Sequence, residues 1–145
     1  MKKMQFSIEI QAPRAKVWKI LWEDKTFRDW GSIIDEGQYM VGELAEGNEV
    51  QFISSENGLG VTSVIEKLIP HTYIAFRQVA DTMNSGKELR DKEWTGGTES
   101  FELAVSEGAI TLTVTIDIPP GLEEIFEDRF PKALERVKIL AEKNE

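Results

Sequence analysis

The chain has 145 residues, 41% of them hydrophobic, which suits one domain that buries a sizeable core without disulfides or metals. Its 17 basic and 26 acidic residues leave a formal net charge of −9, which excludes a phosphate-binding face for nucleic acid and a polybasic attachment to anionic lipid. There is no cysteine, so disulfides, thiolate nucleophiles and Cys-type zinc sites are excluded together.

The N-terminus starts basic at Lys2-Lys3 but runs into alternation, with no apolar core of signal-peptide length. No apolar run approaches the ~20 residues that span a bilayer, so membrane insertion is not expected and the expected location is the cytoplasm. Met4, Phe6, Ile8 and Ile10 alternate with Gln5, Ser7, Glu9 and Gln11, the pattern of a half-buried strand. Pro13 suits the first turn of a helix, and Val17, Trp18, Leu21 and Trp22 carry that helix to about Trp22. Asp24 is placed as the N-cap of a second short helix that ends near Trp30-Gly31, with Phe27 and Trp30 on one face.

From Gly37 onward short strand-like segments are separated by turn signals at Glu46-Gly47-Asn48, Glu56-Asn57-Gly58, Pro70-His71 and Thr95-Gly96-Gly97. Strands are predicted near Gln38–Val41, Asn48–Ser54, Val61–Ile69, Thr72–Val79, Thr98–Val105 and Ile110–Ile118, joined as an antiparallel meander. The last two are clearly phased. Phe101, Leu103 and Val105 share one face, and Ile110, Leu112, Val114, Ile116 and Ile118 share another. The phase of Val61–Ile69 and Thr72–Val79 is ambiguous. The polar stretch from Ala80 to Glu93 reads as a long loop, either a pocket lid or a solvated extension.

Pro119-Pro120-Gly121 stops the last strand. Leu122, Phe126, Phe130, Ala133, Leu134, Val137, Leu140 and Ala141 then form the apolar stripe of a long amphipathic helix. Pro131 lies inside it, and a bend or restart is expected near Arg129–Pro131. The fold class is therefore α+β, with a C-terminal helix across a curved antiparallel sheet. No linker, repeat or low-complexity tract divides residues 1–145.

Ile10 to Trp18 with Leu21, Phe27 and Trp30, then Trp94-Thr95-Gly96-Gly97-Thr98-Glu99-Ser100-Phe101-Glu102-Leu103, then Phe130 to Lys138, carry a resemblance. In these residues and in element order, the chain resembles the START-like (SRPBCC) superfamily with its helix-grip fold. Within it, the chain looks like the group related to the activator of the heat-shock chaperone ATPase. The resemblance covers nearly the whole chain and implies an apolar cavity between sheet and long helix. A shared fold does not fix the function.

Candidate lining residues from the sheet are Phe52, Phe76, Phe101, Leu103, Leu112, Val114 and Ile116, and from the long helix Phe126, Phe130, Leu134 and Val137. Trp30 and Ile34 are placed to close one end. Each would serve equally as plain core. Glu99 shares strand phase with Phe101 and should point inward, either to orient a ligand or act as a base, or to sit partly wet and bond a neighbour. Trp94 either caps the pocket mouth or packs in its turn. Gln78 is expected inward beside Phe76, with Arg77 solvated.

His71, the only histidine, lies in a presumed turn, which leaves no Ser-His-Asp triad. No spacing suits a metal site. Gly58-Leu59-Gly60 reads as a short turn and lacks the lysine and helix of a phosphate loop. No cofactor is expected. The leading reading is non-enzymatic binding of a small hydrophobic ligand, lipid-like or aromatic. The alternatives are an enzyme of the polyketide cyclase or aromatase kind with Glu99 as its acid/base group, and a chaperone-regulating domain with a protein partner.

Overall fold

The computed structural model describes residues 1–83 and 94–143. Seven strands and three helices follow in the order β1 (Lys2–Ile10), α1 (Arg14–Trp22), α2 (Asp24–Ile34), β2 (Gln38–Val41), β3 (Glu49–Ser54), β4 (Leu59–Ile69), β5 (Tyr73–Met83), β6 (Thr98–Ser106), β7 (Ala109–Ile118) and α3 (Glu123–Glu142). The strands form one antiparallel sheet in the order β1-β7-β6-β5-β4-β3-β2, curled into a half-barrel. Short turns connect β2 to β5 and β6 to β7, so neighbours in sequence are neighbours in space. β1 closes the far edge by pairing with β7 from Lys2↔Ile118 to Ile10↔Ile110. The helix-grip α+β architecture expected from the element order is the one observed.

The inner face of the sheet is apolar wherever the alternation is clean. Phe101 and Leu103 of β6 lie opposite Val114 and Leu112 of β7, and all four are buried. Val105, on the same face, is 60% exposed because β6 ends there beyond the reach of the helices. The ambiguous phase of β4 and β5 has a physical cause. Their register shifts between Thr62 and Ser63 and again between Ile65 and Lys67. The first leaves Val79 of β5 unpaired and the second leaves Glu66 of β4 unpaired, and at the second two successive residues, Glu66 and Lys67, are both exposed.

Three boundaries differ from the sequence reading. Leu59-Gly60 opens β4 instead of finishing a turn, and α2 runs on to Ile34. A Cβ on Gly60 would stand 1.9 Å from the Phe52 carbonyl oxygen, so only glycine lets β3 and β4 approach so closely there. Ala80 to Met83 extend β5 instead of opening a loop. The rest of the expected lid, residues 84–93, lies outside the described residues.

α3 runs unbroken through Pro131, so the expected restart does not occur. An interior proline costs about 3 kcal/mol, yet Phe130, Ala133 and Leu134 around it are all buried. Burial of that stripe outweighs the lost hydrogen bond. Phe130 stacks on Phe6 of β1 at 4.9 Å between ring centroids. A bidentate pair joins Arg136 of α3 to Asp29 of α2 at 2.7 and 2.9 Å, and Arg129 Nη1 donates to the Ile34 carbonyl at 2.8 Å. These bonds tie the roof helix to the end of α2. No helix among the described residues is long and apolar enough to cross a membrane.

Candidate functional site

Sheet and α3 pack solidly at one end only. Toward Leu103, Leu112 and Leu134 the gap is filled with side chains. Toward Glu99, Ile116 and Phe126 it opens into a cavity of about 290 Å³, at the lower edge of the ~300–1,000 Å³ common for small-molecule sites. Its wall takes Trp22 from α1, and Phe27, Trp30 and Ile34 from α2. The sheet contributes Phe52, Val61, Gln78, Glu99, Phe101 and Ile116, and the roof is Leu122, Ile125, Phe126, Arg129 and Phe130. Ile125, Arg129 and Asn57 are exposed, which puts the mouth between the first half of α3 and the β3–β4 turn.

Of the residues proposed from the sequence, Trp30, Ile34, Phe52, Gln78, Trp94, Glu99, Phe101, Ile116, Phe126 and Phe130 line this cavity. Phe76, Leu103, Leu112, Val114 and Leu134 do not, and each is at most 1% exposed in solid core. For Phe76 the reason is Trp22. Its indole packs 5.6 Å from Phe76 and 4.9 Å from Phe101, and so covers Phe76. Val137 is likewise core, with no exposure.

Trp22 and Phe27 were legible as helix positions, but nothing in helical spacing says that they turn toward a void. Val61 was hidden by the irregular register of β4. Asp35, Gln38, Leu59 and Gly60 reach the cavity through the α2–β2 and β3–β4 connections, where neither periodicity applies.

Trp94 is fixed at the rim by its turn. Asp81 Oδ1 accepts from the Trp94 backbone N–H at 3.1 Å and from Thr95 Oγ1 at 3.0 Å, and the indole lies 5.5 Å from Phe126. Gln78 pins the same turn through its backbone, donating to the Gly97 carbonyl and accepting from the Gly96 N–H.

Glu99 is anchored by its neighbour: Asp117 Oδ2 accepts from the Thr98 N–H at 2.9 Å and from Thr98 Oγ1 at 3.0 Å. Glu99 then stands between Phe76 on β5 and Ile116 on β7. Its side chain keeps intermediate exposure because the cavity itself admits water, but protein surrounds it on every side. Burial pushes its carboxyl up to about 7. Among the described residues no side chain bonds or neutralises it. Asp35 and Arg129 are the other ionisable side chains that line the cavity.

His71 sits in the β4–β5 turn at φ 64°, edge-on to Trp18 at 6.3 Å and away from the cavity. No cluster of three or more metal-ligating side chains occurs among the described residues.

No family model matches the sequence, and no curated protein matches it. Similar solved structures include the Aha1 dimer of Colwellia psychrerythraea, at 19% identity and TM-score 0.71, covering 98% of this chain and 97% of that one. Protein MLL2253 of Mesorhizobium loti gives 12% identity and TM-score 0.73, with 99% of both chains covered. DynU16, from the dynemicin biosynthetic locus, gives 12% identity and TM-score 0.69 over 96% of this chain and 46% of its own. Identities this low establish the fold alone, and that fold is the α+β helix grip.

Proposed function

We propose that this chain binds a small hydrophobic molecule in the cavity between sheet and α3, as a carrier or sensor without chemistry of its own. The observation that carries the reading is a void left at one end of an otherwise solid core, walled largely by aromatic side chains and open at a defined mouth. Covering ~200 Å² of apolar ligand surface is worth about 5 kcal/mol at 25 cal/mol per Å². After the costs of association, affinities in the micromolar range are expected.

Selectivity rests on cavity shape together with Gln78, Glu99 and Trp94. A thermal-shift screen of apolar aromatics and fatty alcohols tests the proposal. Ligands that match the cavity raise the melting temperature in a concentration-dependent way, and an unmoved melting temperature across the panel contradicts the reading.

A second reading has one observation in its favour. A carboxyl that titrates near neutrality inside an apolar cavity is poised for acid–base work. A cyclase- or aromatase-type enzyme would use Glu99 in that way, and DynU16 shares the fold and comes from a biosynthetic locus. Glu99→Gln separates the two readings. A binder keeps affinity within a few-fold, whereas an acid–base enzyme loses turnover by about 10²–10⁴-fold.

A further inference from the structure

Two polar side chains on the cavity's sheet wall, Gln78 through its Oε1 and Glu99 through its carboxyl, have no hydrogen-bond partner there among the described residues. Gln78 is 3% exposed and Ser63 is fully buried, and the two face each other across β4 and β5. Gln78 Oε1 makes no hydrogen bond among the described residues, and neither does the Oγ of Ser63, which lies behind the wall and does not line the cavity. One step along the wall stands Glu99, in register with Phe76, and its carboxyl has no partner among the described residues either. Buried polar atoms are nearly always satisfied, and each one left unsatisfied costs about 1–3 kcal/mol. Such a cluster in the wall of a cavity is accounted for by a ligand that completes it.

The kind of atom that is missing can be read from the kind that is present. Carboxylate and amide oxygen both accept and neither donates. A hydroxyl group on a ligand supplies one donor, whereas a primary ammonium supplies three. The aromatic surround favours the same choice. Trp22, Phe27, Trp30, Trp94 and Phe101 all line the cavity, and aromatic faces attract cations by about 0.5–2 kcal/mol each, most strongly from tryptophan. The chain's net charge of −9 favours approach of a cation as well. Trp22 Nε1–H, also without a partner, is a donor that an ammonium leaves unsatisfied.

We propose that the ligand is an apolar molecule, aromatic in its body, that carries a protonated amine, held by Glu99 with Gln78 beside it and with the body among the surrounding rings. This rests on the reading of the cavity as a ligand site and narrows it to organic cations.

Ionised Glu99 is the binding form. Asp35 from the end of α2 and Arg129 from α3 are the other charged groups facing the cavity, and Arg129 donates to the Ile34 carbonyl. With the Glu99 carboxyl near 7, affinity for an amine levels off above neutrality and falls by up to about tenfold per pH unit below it.

Isothermal titration of the full chain with tryptamine and with tryptophol, which carries a hydroxyl in place of the amine, tests this at about pH 6 and about pH 8. At the higher pH tryptamine is expected to bind at least tenfold tighter than tryptophol, and to lose most of that advantage at the lower. Glu99→Gln is expected to abolish both the preference and its pH dependence while tryptophol still binds. Tryptophol binding as tightly as tryptamine at the higher pH overturns the amine proposal and leaves the apolar-ligand reading standing. An amine preference that survives Glu99→Gln also overturns it. Binding by neither compound contradicts both.

Discussion

Glu99 is where burial and charge are in open conflict. Its carboxyl ionises near 4.5 when the chain is unfolded and near 7 when folded, because desolvation disfavours the charged form. The protonated group is therefore tolerated, and the full stability is present below about pH 4.5. As pH rises between the two values the unfolded chain gives up its proton more readily, and stability falls until about pH 7. The size of this fall is on the order of 1–3 kcal/mol. Glu99→Gln removes it. In urea denaturation the variant should match the parent near pH 5 and exceed it near pH 8. A difference that stays constant with pH would contradict the assignment.

That Glu99 faces inward could be read from its phase with Phe101 and Leu103, because β6 alternates without interruption. That it has no partner could not, since partners arrive from β4, β5 and α1, which lie far away in the chain. Trp22 shows the same limit, because helical spacing gives a face but not the void that the face meets.

Among the elements, α3 and β4 both depart from their ideal patterns, with different consequences. α3 keeps its helix through Pro131 because its buried stripe holds it on either side of the proline. Pro131→Ala restores a backbone donor at that turn. It should stabilise the chain by about 1–3 kcal/mol, less the entropy that proline removes from the unfolded state. A melting temperature lowered by the substitution would show that the proline serves the packing of α3. β4 and β5 depart through two irregularities of register, one that leaves Val79 of β5 unpaired and one that leaves Glu66 of β4 unpaired and shifts the facing beyond it. This is why the alternation of Val61, Ser63 and Ile65 is blurred by buried Thr62 and does not carry on past Ile65, where Glu66 and Lys67 are both exposed. Clean elements such as β1, β6, β7 and α3 were legible, because one period ran from end to end.

For the whole molecule, the decisive property is that a curled sheet and one continuous helix laid across it do not pack flush along their full length. Bulky residues fill the gap from Leu103 and Leu112 to Leu134, and beyond Phe101 the filling stops. The general arrangement follows from element order alone. Which end stays open follows from the positions of Trp22 and Phe76, so residues such as Val114 and Leu134 read as lining when they are core.

Val61 stands in the cavity wall with partial exposure, so Val61→Trp can fill the void without overpacking the solid end. The variant should fold and bind no apolar ligand, while any binding of a protein partner to the outer surface should persist. Native mass spectrometry of freshly purified parent chain and Val61→Trp, followed by denaturing extraction, decides whether the cavity holds a ligand. The parent should carry a small apolar molecule near one-to-one, and the variant none. A parent that carries nothing, and accepts nothing from added apolar amines and alcohols that Val61→Trp does not also accept, would contradict the reading of the cavity as a ligand site.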